Sequence, residues 1–104
     1  MKIKGNWETR EVTVDGVRLD PSPSQAVWNH SPDGFSYGYN GSGPAKLALA
    51  LLLYAGVDKD LAVAKHQALK EEFVAKLPQS DFETELEISR DDAWWILSKP
   101  LAFH

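Results

Sequence analysis

The sequence predicts an α+β fold, a small antiparallel sheet packed against a buried central helix plus two further helices. Three observations lead there. Short apolar runs separated by turn residues fill the first third of the chain, and a nearly uncharged Leu/Ala segment follows over residues 45–55. After it, Phe82, Thr84, Leu86 and Ile88 alternate with Glu83, Glu85 and Glu87, the period of a strand with one wet face. The 104 residues are 43% hydrophobic and 25% charged, the profile of one globular domain with a single core, taken here as residues 1–104.

In chain order, Val12-Thr13-Val14 and Val17-Arg18-Leu19 flank Asp15-Gly16, a pair suited to the positive φ angles of a type I′ hairpin. The segment Asp20-Pro21-Ser22-Pro23-Ser24 reads as an interruption, since each proline removes a donor and restricts its neighbour. Residues 25–28 read as a further short strand, and residues 29–34 as a loop of turn formers. Phe35, Tyr37 and Tyr39 then alternate with Ser36 and Gly38, predicting a strand with one aromatic face.

Residues 45–55 change the period. Pro44 suits a first helical position and Gly56 the residue past the end, and of the eleven residues between them only Lys46 is charged. A helix apolar on every side is buried on every side, and at about 17 Å this one is too short to cross a bilayer. A second helix is predicted over residues 58–77, with Asp58 as N-cap and Pro78 just beyond. Ser89 and Asp92 have capping-box spacing, so residues 91–99 read as a third short helix carrying Trp94, Trp95 and Leu97 up to Pro100.

Several function classes are excluded or weakened. The chain has no cysteine, which removes disulfides, thiolate metal sites and a Cys nucleophile. A net charge of -4 argues against a nucleic-acid clamp, and stacked aromatics alone do not replace a positive groove. The three histidines, His30, His66 and His104, show no metal-binding spacing, so neither a metal nor another cofactor is expected. The polar start Met1-Lys2-Ile3-Lys4 carries no signal-peptide pattern, and a cytoplasmic protein without membrane contact is expected.

Four features could carry chemistry. The stretch Gly38-Tyr39-Asn40-Gly41-Ser42-Gly43-Pro44 leads into the central helix, where unpaired amides favour an anion. It lacks the Gly-Lys-Ser/Thr ending of a P-loop, and a tight connector is the simpler reading. As a ligand site it would use Gly41, Ser42, Gly43, His30 and Lys46. His30 beside Ser31 lacks the third group of a triad. His66 and Lys70 share one arc of the second helix, most simply with their stems along the core edge, and the glutamate row reads as the solvated face of an edge strand. Adjacent Trp94 and Trp95 diverge by about 100° on a helix, so one ring could face a partner.

The strings Asn29-His30-Ser31-Pro32-Asp33-Gly34-Phe35 and Tyr37-Gly38-Tyr39-Asn40-Gly41-Ser42-Gly43-Pro44-Ala45, with the Leu/Ala run after them, resemble a family of small uncharacterised bacterial domains. Members are often found on phage and other mobile elements. The resemblance extends from about Val12 to Leu97, with Tyr37 in place of tryptophan, Lys46 of glutamine and His66 of an aromatic residue. It implies a context and no activity, ligand or catalytic residue. The leading expectation is therefore a non-enzymatic accessory domain that binds another protein or itself, through Trp94, Trp95, Tyr37 and Tyr39. The alternative is an anion- or small-ligand-binding protein using residues 38–44.

Overall fold

A computed structural model describes residues 1–27 and 34–99, apart from the side chains of Ser24, Gln25, Val27, Ser98 and Lys99. The chain forms β1 (Lys2–Gly5), β2 (Val12–Val14), β3 (Val17–Arg18), α1 (Ser22–Val27), α2 (Ser42–Tyr54), α3 (Lys59–Glu72), a 3-10 turn (Val74–Lys76), β4 (Phe82–Ile88) and β5 (Trp95–Lys99). The five strands make one antiparallel sheet in the order β3-β2-β1-β4-β5. The α+β class and its helix-covered antiparallel sheet stand as the sequence implies.

Register explains which strand faces are apolar. Ile3 pairs with Val14 on one side and Thr84 on the other, and Gly5 pairs with Val12 and Phe82. Residues opposite one another share a face, so Ile3, Val12, Val14, Phe82 and Leu86 all enter one core. Leu47, Leu49, Leu51 and Leu52 of α2 complete that core, which runs continuously from sheet to helices. Every residue from Pro44 to Leu52 is buried, as an all-apolar helix requires. The type I′ turn is also present, with φ of 52° at Asp15 and 83° at Gly16. Asp58 caps α3, its carboxylate accepting from the Asp60 amide at 3.1 Å.

Five expectations need correction. Residues 22–27 are helical, not broken coil followed by a strand: prolines are tolerated in a first helical turn, and the Asp20 carboxylate accepts from the Ser22 amide at 2.9 Å. Trp28, the last residue of the expected strand, lies outside the described residues. Phe35 and Tyr37 are buried as the expected alternation requires, but Tyr39 is exposed and the segment joins no ladder. Gly38 instead donates its amide to the Val74 carbonyl and accepts from the Gln79 side chain. The second helix ends at Glu72 and tightens into the 3-10 turn before Pro78.

Residues 91–99 form a turn and a strand rather than a helix. Asp92 accepts from the Trp94 amide at 3.2 Å, and hydrogen bonds from Ser89 and that amide hold its carboxyl below the usual range. Ser89 and Asp92 thus close a reversal between β4 and β5, a second use of the same spacing. The glutamate row is not on an edge strand either, because β1 and β5 flank β4. Lys2 reaches Glu83 at 3.1 Å and Lys4 reaches it at 3.9 Å across the sheet. The sequence reading also overlooks β1, which is too short to show a clear period yet occupies the middle of the sheet.

Candidate functional site

Two regions of the surface gather the expected site residues: the free edge of β5 and a cleft at the start of α2. In β5, Ile88 pairs with Trp95, Glu87 with Ile96 and Leu86 with Leu97. Trp95 therefore points to the core face and is half-buried against it. Ile96 lies on the outer face beside Glu87 and is 59% exposed; Trp94, just before the strand, is 67% exposed, and Leu97 is 43% exposed. The stretch Ala93-Trp94-Trp95-Ile96-Leu97-Ser98 carries no charge. Half of the reasoning about the tryptophans holds: one ring packs and the other faces water. Ile96, with Leu97 read as helical, was missed as a surface residue, because a run without polar alternation hides its period.

At the start of α2 a cleft of about 580 Å³ is lined by Arg10, Arg18, Ser36, Tyr39, Ser42 and Gly43. Gly41 occupies the N-cap in an extended conformation with no side-chain cap. Arg10 lies over the Trp7 ring at 3.4 Å from its centroid, and Arg18 is 3.5 Å from Glu11, which also borders the cleft. Neither arginine was legible as a site residue: they are eight positions apart, and only the β2–β3 hairpin brings them to one wall. A Cβ added at Gly43 would stand 2.8 Å from the Ser36 Cβ, so this glycine is a close-packed joint of the connector.

The remaining expected ligand and partner residues separate. Lys46 is fully buried and does not line the cleft. Its helix is enclosed on all sides at that position, and no buried side-chain N or O atom among the described residues lacks a hydrogen-bond partner. Gly41, Ser42 and Gly43 do line the cleft, whereas His30 lies outside the described residues. Tyr37 is not a surface aromatic. It is buried, edge-on to Trp7 at 5.4 Å and to Phe82 at 4.8 Å, and donates its hydroxyl to the Ser80 carbonyl at 3.0 Å. Burial, with Asp81 nearby, pushes its pKa up to about 12, so the hydroxyl stays a donor. Tyr39 remains exposed at the cleft mouth.

Residues 4–97 match the model of a family described as a family of unknown function, DUF6166. The chain belongs to the DUF6166 family. That match takes in β2, β3 and β4 whole and parts of β1 and β5, so Trp94, Ile96, Leu97 and the cleft residues lie within the DUF6166 region. No curated protein and no solved structure matches the chain. DUF6166 membership thus assigns no chemistry, and the surfaces are weighed on geometry.

His66 is buried in α3, its Nδ1 at 2.6 Å from the Val63 carbonyl and its Nε2 at 3.3 Å from the Gln67 amide nitrogen. The carbonyl can only accept, so Nδ1 carries the proton and Nε2 accepts from Gln67. Burial lowers the His66 pKa below its ordinary value, and Lys70 adds to the lowering. This is a neutral, structurally bonded ring. Among the described residues no group of His, Asp or Glu side chains could hold a metal ion, and no helix is long and apolar enough to cross a membrane.

Proposed function

We propose that this DUF6166 chain is a non-enzymatic protein-interaction domain, of the accessory kind that mobile elements carry, and that it docks an extended partner segment along the free edge of β5. One observation carries the reading: among the described residues no strand pairs with the outer side of β5, and this edge presents Trp94, Ile96 and Leu97 to solvent with no charged residue from Ala93 to Ser98. Edge strands left open in this way pair with another strand unless charge, proline or a bulge prevents it, and the one register shift against β4 comes after Leu97, leaving Trp95 to Leu97 regular. An added strand would gain ladder hydrogen bonds, and alternate apolar side chains would cover the exposed ones. The favoured segment is therefore extended and apolar at alternate positions.

The test is selection from a library of displayed random octapeptides against wild type and Leu97→Pro. Proline removes an amide on the free edge, where it is tolerated, without deleting a core side chain. Alternating apolar peptides enriched by wild type and lost with Leu97→Pro support the reading. Equal enrichment by both proteins, or none by either, overturns it.

A second reading is favoured by a cleft that Arg10 and Arg18 line together with the amide end of α2: it would take a small anion. Thermal melting in phosphate, sulfate and ATP tests it, since a ligand bound by the native state alone raises Tm with the logarithm of its concentration. The rise should disappear in the Arg10→Gln, Arg18→Gln double variant. Gly43→Val is a poor probe, because its side chain would collide with Ser36.

A further inference from the structure

Arg10 stands on a loop that closes on itself. Its amide donates to the Asn6 carbonyl at 2.8 Å, and the Asn6 amide donates to the Glu11 carbonyl at 2.9 Å. Those bonds hold Arg10 at a φ of 62°, a left-handed conformation that L side chains rarely adopt. Its guanidinium lies over Trp7, which packs in turn on the buried Tyr37. A guanidinium laid on a ring keeps its in-plane N–H groups for an acceptor, and its plane is set before anything binds. Arg18 lines the same cleft, and a guanidinium fork takes a phosphate bidentately.

Tyr39 supplies the second feature of the cleft. A Cβ at Gly41 would stand 2.8 Å from its ring, and one at Gly43 would stand 3.3 Å from its hydroxyl. The glycines of the connector therefore give this ring its seat. It is still 44% exposed and borders the cleft, beside the Ser36 and Ser42 hydroxyls. The volume of about 580 Å³ is that of a site for a small organic molecule, and an inorganic anion fills only a small part of it. Among the described lining residues only Arg10, Arg18 and Glu11 are charged, which leaves one positive charge in surplus.

We propose that this cleft binds a nucleoside monophosphate, with the phosphate on Arg10 and Arg18 and the base against Tyr39; this rests on the small-anion reading above and names its class of ligand. Each part of such a molecule meets a matching group. The phosphate takes the two guanidinium forks. The base stacks on the exposed ring, and because every base has a π-face, stacking does not choose among bases. Sugar hydroxyls find Glu11, Ser36 and Ser42 as hydrogen-bond partners. A triphosphate brings more negative charge than the surplus neutralises, on a chain whose net charge is already -4. A nucleoside without phosphate leaves both arginines unused.

Calorimetric titration and thermal melting of the intact chain test the proposal. The probes are adenosine, guanosine, cytidine and uridine 5′-monophosphates, set against inorganic phosphate, adenosine and ATP. The monophosphates should bind at least tenfold more tightly than the other three, raising Tm with the logarithm of their concentration. The Arg10→Gln, Arg18→Gln double variant should lose this binding. Tyr39→Leu should weaken the monophosphates at least fivefold and leave inorganic phosphate unchanged, a split that a purely structural role of the ring would not give. Should the double variant fail to fold, Arg18→Gln alone, on an exposed side chain, carries the arginine arm and should cost at least fivefold. Inorganic phosphate bound as tightly as the monophosphates, ATP bound more tightly than they are, or monophosphate binding indifferent to Tyr39→Leu overturns the nucleotide and leaves the anion site standing. Binding that survives loss of the arginines places the site elsewhere and overturns the proposal. If wild type binds none of the probes, the nucleotide and the small-anion reading fall together.

Discussion

The two edges of the sheet differ in length and in charge, two features that govern strand addition. On one side β3 is only Val17–Arg18, and its Arg18 pairs with Glu11. On the other, β5 runs over Trp95–Lys99, follows the exposed ring of Trp94 and has no charge before Lys99. A short charged edge cannot hold a ladder and repels an apolar strand, whereas a longer uncharged one can accept it. Val17 is itself exposed, but it stands on a strand of two residues beside a charged Arg18. Length, freedom from charge and outward main-chain groups are needed together.

The largest test of this contrast weighs a core-facing residue of β5 against an exposed residue of β3. Trp95→Ala should destabilise the fold by about 2 kcal/mol, because the ring is half-buried against the core, with Val17→Ala on the opposite edge costing under ~0.5 kcal/mol. Urea unfolding reads both, and a neutral Trp95→Ala would mean that β5 is not fastened to the core. Away from either edge, Tyr37→Phe supplies a reference for the interior. It should cost about 1 kcal/mol by leaving the Ser80 carbonyl without its donor, visible as a lower urea midpoint at unchanged slope.

Acid tests whether the helical layer limits stability independently of the edges. His66 is held below its ordinary pKa of 6.5 by burial, so the unfolded chain takes up its proton more readily than the folded one. Its contribution is complete above pH 6.5 and is lost as pH falls from there through the lower folded value. Melting temperatures for wild type and His66→Phe should diverge in slope over that window, the variant being flatter; parallel curves would remove His66 as the cause. The smallest effect belongs to the blunted edge. Glu11→Gln should change stability by no more than about 0.5 kcal/mol and less at high salt, since the Arg18 pair is exposed.

Much of the scaffold was legible because its signals are local. The Asp15-Gly16 turn, the Asp58 cap, the alternation of Phe82–Ile88 and the uniform apolarity of residues 45–55 each specify a backbone state over a few residues. The failures share a cause as well. Ser89 and Asp92 can cap a helix or close a turn, and Ser22-Pro23 can break a chain or begin a helix. Tyr37 and Trp94 look alike as candidate surface aromatics, yet one lies between Trp7 and Phe82 and the other faces water. The cleft arginines were invisible because nothing near either of them marks the other.

The sequence by itself therefore determined an α+β domain with an all-apolar helix at its centre, since a helix with no polar face has no stable position except inside. Tertiary structure alone decided which aromatic rings are covered, which strand stands at the edge and which cationic side chains line the cleft. Those are matters of pairing order and register between segments far apart in the chain, and the hydrogen bonds and buried area that select among them form only once the whole sheet is assembled.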